Sequence, residues 1–449
     1  MANQKPNRKP QPEHEIEGIT SIGVGGFKSI SQEQDIEVRP LTILAGANSS
    51  GKSSMMQPLL LLKQTLEAPY DPGALLLNGP NIKFTSVDQL LSRVNNEMDK
   101  DTFFATIEVA EPYASLITFF TRGKGKGRGF DVRETVYSSS LGLFRLYRGM
   151  PQDEIRAILS KIFRNTPNEK AKGTESHVSL GRNRCFLSLV RDYGGNFSIP
   201  ISLSLETIVG EYILRIIHLP GLRGNPERNY PVTAVGSEFP GTFERYVASV
   251  IWQWQIDSDN NKLEKLNRDL VRLGLAGKVF AKSIDDAQIE LLVNRLLHSN
   301  KDGMEDMVSI ADVGLGVSQA LPVVVALHAA SEGQLVYLEQ PEIHLHPRAQ
   351  TAMAEVLADA AIQGKRLVVE THSSLLLLGI QTLVAEGKLL PELVKLHWFT
   401  QQEDGSTKIT SADLDEAGAF GDWPEDFDKV TLDSENRYLD AAEARLRGK

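Results

Sequence analysis

The chain has 449 residues, of which 41% are hydrophobic and 24% charged, and its net charge is −10, as expected for a globular protein with a full core and several domains. It contains one cysteine, Cys185, so no disulfide can form within the chain, which fits a reducing cytoplasm. The longest apolar stretch, residues 320–330, contains Pro322 and is too short to cross a bilayer, so we predict a cytoplasmic protein without a membrane partner.

The first elements of the chain lead up to a glycine-rich loop. Residues 1–15 are polar and lack the apolar stretch of a signal peptide, so we expect them to be disordered. Two short strands are predicted at 18–25 and 35–39. Residues 41–44 are apolar and β-prone and predict a third strand. Beyond the loop, residues 54–62 favour a helix.

Residues 46–53 match the pattern G-x-x-x-x-G-K-[ST] without a mismatch. Glycines in such a loop allow backbone N–H groups to turn toward phosphate, and the dipole of the following helix adds partial positive charge. Lys52 is expected to reach the β- and γ-phosphates of a nucleotide, and Ser53 to hold Mg²⁺. The predicted nucleotide-binding residues of this loop are Gly46, Asn48, Ser49, Ser50, Gly51, Lys52, Ser53 and Ser54.

The middle of the chain, residues 111–304, is predicted to be an α+β insertion that is β-rich first and helical later. Within it, residues 122–184 contain 14 Lys and Arg against 6 Asp and Glu. Such a segment can contact nucleic acid or an acidic partner, or it can be an ordinary solvated face with a mobile loop. The elements predicted here and just before are strands at 103–109, 116–120, 135–137 and 197–205, helices at 153–163 and along a leucine repeat over 263–273, and a hairpin over 289–310.

The last third of the chain alternates helices with short apolar runs, 335–338 and 367–369, which suit strands buried on both faces of a parallel sheet. Glu339 follows the first run, in the position of a Walker B carboxylate that helps to hold Mg²⁺. His372 follows the second, where a polar residue can approach a γ-phosphate. The glycine-rich stretch 312–319 opens an apolar helix and can bind an anionic phosphate.

In order and spacing, these motifs resemble the ABC-type ATPase heads of the SMC, Rad50 and RecF group. Residues 314–319 stand at that family's signature motif, and His372 stands at its switch histidine. The run EQPEIHLHP at 339–347 and the run ETHS at 370–373 look more closely like the ATPases of the overcoming-lysogenization-defect group and its AAA-family relatives. Two further stretches, 311–322 and 418–427, look like a bacterial subgroup of those relatives that has no nuclease domain.

The resemblance implies an α/β fold, namely an ABC-type P-loop ATPase head with a mixed sheet, split by a large α+β insertion. It implies ATP and Mg²⁺ as cofactors and an ATP-dependent dimer in which the signature of one copy caps the phosphate of the other. Ser318 is our first choice for that capping residue and Gly316 the second. The relatives also imply a separate effector (a nuclease, a toxin or a reverse-transcriptase complex) in bacterial anti-phage defence.

The chain departs from the family's usual Walker B pair, Asp followed by Glu, because Glu339 is followed by Gln340. Gln340 cannot accept a proton as a general base, but it can orient an attacking water, as a glutamine does in small GTPases. Glu342 is a second candidate for the missing carboxylate. Together with His372, these two residues form the predicted catalytic set. We therefore expect hydrolysis slow enough for bound ATP to mark a state of the protein.

The predicted organisation is a disordered lead at 1–15, an amino-terminal ATPase lobe at 16–110, the insertion at 111–304, a carboxyl-terminal ATPase lobe at 305–400 and an acidic module at 401–449. Two other functions remain open. One is a DNA-repair ATPase of RecF or SMC type that binds DNA directly, and the other is a nucleotide-gated scaffold with almost no turnover. The long insertion and the acidic tail argue against the ATP-binding subunit of a membrane transporter.

Overall fold

The computed structural model describes most of the chain. Three parts of the prediction lie outside the described residues. They are the lead at 1–15, residues 295–305 of the predicted hairpin, and residues 422–427 of the stretch 418–427. The described residues are 17–94, 100–124, 129–140, 142–162, 177–192, 198–201, 204–294, 306–421 and Arg437.

Strands and helices are mixed along the whole chain. The strands are β1 (Ile19–Gly25), β2 (Gln34–Glu37), β3 (Leu41–Gly46), β4 (Thr102–Val109), β5 (Ala114–Arg122), β6 (Phe130–Ser139), β7 (Gly142–Tyr147), β8 (His177–Asn183), β9 (Phe186–Asp192), β10 (Ser198–Ile201), β11 (Ile217–Leu219), β12 (Tyr230–Pro231), β13 (Val279–Ser283), β14 (Gln288–Asn294), β15 (Met307–Ser309), β16 (Leu335–Glu339), β17 (Arg366–Glu370), β18 (Val394–Gln401) and β19 (Thr407–Ala412). The helices are α1 (Lys52–Glu67), α2 (Gln152–Ile162), α3 (Ser204–Leu214), α4 (Val247–Ile256), α5 (Asn260–Arg272), α6 (Leu315–Ala329), α7 (Pro347–Ile362) and α8 (Ser374–Ala385).

The central sheet has the strand order β11-β16-β17-β3-β18-β19. Its first five strands run parallel to their neighbours, and β19 pairs with β18 in the antiparallel direction at the edge. Across the sheet Glu339 lies opposite Glu370, and Glu370 lies opposite Leu44. The carboxyl ends of β16, β17 and β3 therefore meet at one edge, where ligands bind in open α/β sheets.

The central sheet separates two hydrophobic cores because consecutive side chains of a strand point to opposite faces. On β3, Ile43 packs into the core formed with helices α4 to α8, whereas Leu44 packs into the core formed with α1 and the strands of a second sheet. Both side chains are fully buried. Burial of such a side chain stabilises the fold by ~1.5–3 kcal/mol, so both cores fix β3 and the loop that follows it.

The second sheet is antiparallel, with the order β2-β1-β4-β5-β6-β7. Strands β4 and β5 pair along their whole length, from Thr102 opposite Thr121 to Val109 opposite Ala114. The predicted domain boundary between residues 110 and 111 therefore falls inside a hairpin. A three-stranded sheet, β10-β9-β8, and a small sheet of β12 to β15 complete the strands of the described residues.

Two segments join the central sheet from outside the predicted ATPase lobes. Strand β11 comes from the predicted insertion, and β19 comes from the predicted acidic module. The predicted strand over 197–205 is also too long, because β10 ends at Ile201 and α3 begins at Ser204. Local patterns do not reveal such strand additions, since a three-residue edge strand such as β11 has almost no periodicity of its own.

Several local predictions are confirmed. The leucine repeat lies on α5, where Leu266 and Leu270 are fully buried. Strands β14 and β15 form the predicted antiparallel pair, and Pro200 lies on β10 at a sheet edge. The predicted α/β class with a mixed central sheet is confirmed as well. Among the residues that the structure describes, we find no helix with the length and apolarity needed to cross a membrane.

A buried histidine makes the stability of the central sheet depend on pH. On β18, the Nε2 atom of His397 lies 2.9 Å from the carbonyl oxygen of Glu37, and its Nδ1 atom lies 2.8 Å from Ser411 Oγ. Burial lowers the pKa of His397 from the ordinary 6.5 to about 4. The folded chain therefore keeps this ring neutral between those two pH values, while the unfolded chain binds a proton.

We predict that His397→Gln loses less free energy of unfolding than the wild type when the pH is lowered. The wild-type stability that comes from this group is complete above pH 6.5 and falls as pH drops toward 4, by up to ~3 kcal/mol, because one pKa unit corresponds to ~1.4 kcal/mol. Urea unfolding at neutral pH and at intermediate acidic values measures the difference. His344→Asn, at an exposed position whose φ of +63° suits asparagine, is the control and should follow the wild type. Equal pH slopes for His397→Gln and wild type would contradict the assignment.

Candidate functional site

The loop between β3 and α1 has the backbone shape that its glycines permit. Gly46 has a φ of +142°, and a Cβ atom there would lie 2.3 Å from the carbonyl oxygen of Phe399. Gly51 has a φ of +105°, and a Cβ atom would lie 2.3 Å from Thr407 Oγ1. Any side chain at either position would be strained and would collide with the neighbouring strand or turn. The loop is therefore packed tightly against β18 and β19.

Lys52 is the first residue of α1, and its side chain folds back over the loop. Its Nζ donates hydrogen bonds to the carbonyl oxygens of Gly46 at 2.9 Å and Ala47 at 2.8 Å. The residue is almost completely buried, and this burial lowers the pKa of Lys52, while the negative charge of Glu370 acts in the opposite direction. The ammonium is thus held at the loop by neutral carbonyl groups, which phosphate oxygens can replace.

The hydroxyl group of Ser53 contacts a carboxylate that the sequence analysis did not assign to the site. Ser53 Oγ donates to Glu370 Oε2 at 2.9 Å, and the hydroxyl of Tyr337 donates to Oε1 of the same carboxylate. Burial, followed by the nearby charge of Glu339, raises the pKa of Glu370 to about 7. Glu370 therefore forms a polar link between the phosphate-loop helix and the two neighbouring parallel strands.

The predicted metal ligand Glu339 has different partners. Its Oε1 lies 3.1 Å from His218 Nε2, and its Oε2 accepts a hydrogen bond from the backbone N–H of Gly221 at 3.1 Å. Burial opposes ionisation of this group, but the hydrogen bond and charge of His218 prevail, and the pKa of Glu339 is lowered. The side chain of Glu339 is thus bound to β11 and the loop that follows it.

Two of the three predicted catalytic residues meet near Lys52. Gln340 has a φ of +46°, and its backbone N–H donates to the carbonyl oxygen of Glu370 at 2.8 Å, which ties the ends of β16 and β17 together. His372 is half-buried, and burial, followed by the charge of Lys52, lowers the pKa of His372. A neutral imidazole beside the lysine can donate or accept a hydrogen bond.

Glu342 lies beneath the loop that carries His372. Its Oε1 accepts hydrogen bonds from Thr371 Oγ1 at 2.7 Å and from the backbone N–H of His372 at 3.1 Å. Its Oε2 is buried without a hydrogen-bond partner among the described residues, and burial raises the pKa of Glu342. These contacts bind Glu342 to the loop that carries His372, and a role of Glu342 in hydrolysis stays a prediction.

An open pocket of about 580 Å³ surrounds the loop at the carboxyl edge of the central sheet. Most of the predicted residues of the phosphate loop line it, together with Gln340 and His372. Four lining residues had no predicted role: Lys28, Ser29, Gln57 and Glu370. Glu370 precedes the conspicuous Thr-His-Ser run, which could have drawn attention to it. The described residues that line the pocket are Lys28, Ser29, Asn48, Ser49, Ser50, Gly51, Lys52, Ser53, Ser54, Gln57, Gln340, Glu370 and His372.

Lys28 adds a second positive charge to the pocket. Its Nζ donates to Gln57 Oε1 at 2.6 Å and lies 4.5 Å from the centre of the Phe84 ring. Burial lowers the pKa of Lys28. With Lys52, it gives the pocket wall two ammonium groups, a charge that suits a phosphate ligand.

The predicted signature residues lie outside this pocket. Helix α6 begins at Leu315, and no side chain caps its first N–H groups, since Gly314 precedes it. Ser318 is buried, and its hydroxyl donates to the carbonyl oxygen of Leu315 at 3.0 Å. Gly316 lies against Leu275 and the backbone of His344. The structure therefore does not bring Gly316 and Ser318 to the phosphate loop of the same chain.

Arg223 connects the signature helix to the Walker B strand. Its Nη1 donates to the carbonyl oxygen of Gln319 at 3.1 Å, and its Nη2 donates to that of Glu339 at 2.9 Å. Burial lowers the pKa of Arg223 to about 10, against the charges of Glu342, Glu244 and Glu339. A shift of α6 would therefore act on the end of β16 through this guanidinium.

Several arginines of the basic segment 122–184 are already paired with carboxylates in its described part. Arg122 pairs with Asp88 and Asp101, and Arg145 pairs with Glu134. Three further arginines of the segment are paired, namely Arg148 with Asp131, Arg156 with Asp153 and Arg182 with Asp71. Guanidinium groups that are already paired neutralise fewer nucleic-acid phosphates.

No group of three or more His, Cys, Asp or Glu side chains in the described part of the chain is arranged to hold a metal ion. A metal at this pocket would therefore need ligands from a bound molecule. Mg²⁺ is commonly held in this way, by one or two carboxylates together with substrate phosphates and water. The hydroxyl and carboxylate oxygens at Ser53 and Glu370 fit such a partial set.

Comparison with known proteins finds one family in part of the chain. The family described as "AAA domain, putative AbiEii toxin, Type IV TA system" matches residues 206–378, which is less than half of the chain. The matched segment contains the Walker B run and the histidine motif, but it begins after the phosphate loop. A search of curated proteins finds no match.

Three solved structures are similar over most of their length. An SMC head bound to the C-winged helix domain of ScpA is 14% identical, with 89% of this chain and 99% of that chain covered and a TM-score of 0.46. The SMC head domain from Thermotoga maritima is 10% identical, with 88% and 98% covered and a TM-score of 0.40. An SMC head with an extended coiled coil, bound to the C-terminal domain of ScpA from Pyrococcus furiosus, is 11% identical, with 89% and 97% covered and a TM-score of 0.44. At these sequence identities and TM-scores, neither a partner nor an activity of those proteins is assigned to this chain.

Proposed function

We propose that this chain binds Mg-ATP in the pocket around Lys52 and works as an ATP-gated dimeric switch that controls a separate effector. The observation that carries the proposal is the convergence of Lys52, Gln340 and His372 at one open pocket on the carboxyl edge of the central sheet. A phosphate loop, a Walker B strand end and a histidine loop meet there. This is the set that phosphoryl transfer needs, because its catalysis depends on positioning and charge stabilisation.

Each group in the pocket has a task that follows from its chemistry. Lys52 and the loop N–H groups neutralise and orient phosphate oxygens. Ser53 and a neighbouring carboxylate supply oxygen ligands for Mg²⁺, which neutralises charge on the phosphates when it is bound. His372 lies where a neutral imidazole can donate a hydrogen bond to the terminal phosphate. Binding is thus supported by two ammonium groups, several N–H donors and a partial metal shell.

We predict that Lys52→Ala lowers the affinity for ATP by roughly 100-fold or more, because two charge-assisted contacts to phosphate are lost, at ~1.5 kcal/mol or more each. Titration of a fluorescent ATP analogue measures the dissociation constant. Lys388→Ala is the matched control, since Lys388 is exposed and pairs with Glu386 on the surface. Wild-type affinity in Lys52→Ala would refute a site at this loop.

Slow hydrolysis follows from the residue that occupies the usual position of the general base. Gln340 lines the pocket but cannot take a proton. Glu342, the other candidate, is held beneath the histidine loop. Gln340 can still orient water, so the proposed cycle keeps ATP bound for long periods. A long-lived ATP state suits a switch better than a fast enzyme.

Wild-type turnover should be below about 10 per second, which is a common median for enzymes. Gln340→Glu restores a carboxylate at this position and should raise the rate by roughly tenfold or more, because a positioned general base contributes ~10²–10⁴-fold. Phosphate release under saturating ATP measures the turnover of wild type and of Gln340→Glu. As a control, the two proteins should bind ATP with equal affinity. A faster wild type, or a variant slower than wild type, would remove the basis for slow turnover.

The dimer is supported by the position of the signature segment. Gly316 and Ser318 lie away from the pocket of their own chain, and the uncapped start of α6 carries Leu315, whose surface is 46% exposed. In the proposed dimer this helix start faces the phosphates bound by the second copy, which favour the positive end of a helix dipole. Because Ser318 is buried, the N–H groups at the start of α6 and Gly316 are the better candidates for that contact.

We predict that Leu315→Asp abolishes ATP-dependent dimerisation, because it places a carboxylate against phosphate and removes an apolar contact. Light scattering after size-exclusion chromatography, with a non-hydrolysable ATP analogue and Mg²⁺, measures the mass. ATP affinity of the monomer should stay within about threefold of wild type, since Leu315 does not line the pocket. Leu143→Asp on β7, also exposed, is the control and should dimerise. A dimer formed by Leu315→Asp would contradict this interface.

The effector and the role in anti-phage defence rest on resemblance to the overcoming-lysogenization-defect group and its relatives. The matched family is itself described as a putative toxin of a Type IV TA system. A nuclease, a toxin or a reverse-transcriptase complex would then respond to the ATP state. Co-purification from the native host, with and without ATP, identifies this effector, and a chain that recovers no ATP-dependent partner would count against the switch. Direct DNA binding through residues 122–184 has less support, because Arg122, Arg145 and Arg148 are already paired with carboxylates.

A further inference from the structure

Two carboxylates lie side by side at the carboxyl edge of the central sheet. Glu339 ends β16, Glu370 ends β17, and the two residues are opposite each other in register. Position along the sequence points to Glu339 as the metal ligand, because it follows the Walker B strand. The hydrogen bonds of the two carboxylates point to Glu370 instead.

Glu370 is the carboxylate that touches the phosphate loop. Because β17 lies between β16 and β3, the end of β17 is the nearer one to the loop. Glu370 Oε2 accepts a hydrogen bond from Ser53 Oγ at 2.9 Å, and Glu370 lines the pocket. Ser53 is the residue whose hydroxyl a phosphate loop uses to ligate Mg²⁺. A carboxylate already bonded to that hydroxyl lies where the metal shell forms.

Glu339 is held by partners outside the phosphate loop. One of its carboxylate oxygens contacts His218, the other accepts from the N–H of Gly221, and its backbone carbonyl accepts from Arg223. It does not belong to the described residues that line the pocket. Turning this side chain toward Ser53 would break both carboxylate contacts and leave His218 without its charged partner.

The local charge balance also favours a cation beside Glu370. The carboxylate is almost completely buried, and Lys52 is the cation whose charge acts on it. If Lys52 turns toward phosphate, Glu370 loses part of this compensation. A buried carboxylate without a cation is costly, so a divalent ion that bridges Glu370 and a phosphate restores the balance.

We infer that Glu370, and not Glu339, is the protein carboxylate that holds Mg²⁺ together with Ser53 when a nucleotide is bound. This inference rests on the nucleotide-binding function proposed above. Glu339 is then a positioning residue that ties the end of β16 to β11 through His218.

The test compares two isosteric variants, Glu370→Gln and Glu339→Gln. Affinity for a fluorescent ATP analogue is measured for each variant in millimolar Mg²⁺ and again in excess EDTA. The ratio of the two affinities gives the gain due to Mg²⁺ without any measurement of hydrolysis. We expect Glu370→Gln to lose roughly tenfold or more of this gain, while Glu339→Gln keeps it within about threefold.

The outcomes separate the inference from the proposed function. A wild-type chain that binds no nucleotide in either buffer overturns the proposed function itself. A wild type that binds with a clear Mg²⁺ gain leaves that function in place. The inference is then overturned if Glu339→Gln loses the gain and Glu370→Gln keeps it, if the two variants lose it equally, or if neither does.

Because Glu370 is buried between Ser53 and Tyr337, folding is checked separately. Thermal melting and affinity in EDTA should match wild type for Glu370→Gln, since the glutamine oxygen can accept from one hydroxyl while its NH2 group donates to the oxygen of the other. If that variant does not fold, Glu370→Asp replaces it as the test. Aspartate retains the charge but is shorter, so the Mg²⁺ gain should fall between those of Glu370→Gln and wild type. A gain equal to wild type in Glu370→Asp, with loss in Glu339→Gln, overturns the inference.

Discussion

The positive charge of Lys52, buried at the end of a central parallel strand, is the interaction on which the rest of the site depends. Its Nζ is held by the carbonyl oxygens of Gly46 and Ala47. Burial of an ammonium group disfavours the charged form, and carbonyl dipoles offset this only in part. In the proposed function this charge binds an anionic phosphate. Lys28 and the N-terminus of α1 add to the same potential.

The two cores hold this charge in place. Strand β3 contributes Ile43 to one core and Leu44 to the other, so the start of the phosphate loop is fixed from both faces of the sheet. Beyond the loop, close backbone contacts at Gly46 and Gly51 bind it to β18 and β19. The polar groups around Lys52 are then joined in a line across the strand ends, from Ser53 through Glu370 to Tyr337. A phosphate that displaces the lysine from its carbonyls therefore acts directly on the ends of the neighbouring strands.

Local sequence patterns could predict the structural features that are built from residues close together in the chain. The phosphate loop, the two buried parallel strands and the leucine face of α5 each follow from spacing over fewer than about twenty residues. Glu370 was not predicted, because its role arises only when β17 lies between β16 and β3. His218 was missed for the same reason, since β11 joins β16 across more than a hundred residues. Ser318 was chosen from its place in a motif, and its burial depends on the packing of α6.

The central claim is that a nucleotide phosphate takes the place of the loop carbonyls at Lys52. The most direct measurement is a cryo-electron microscopy map of the chain with Mg²⁺ and a non-hydrolysable ATP analogue. The account predicts phosphate density against Lys52 Nζ, metal density beside Ser53, and the start of α6 from a second copy closing over the nucleotide. A map with the nucleotide bound elsewhere, or with Lys52 still held by Gly46 and Ala47 at saturating analogue, would contradict it.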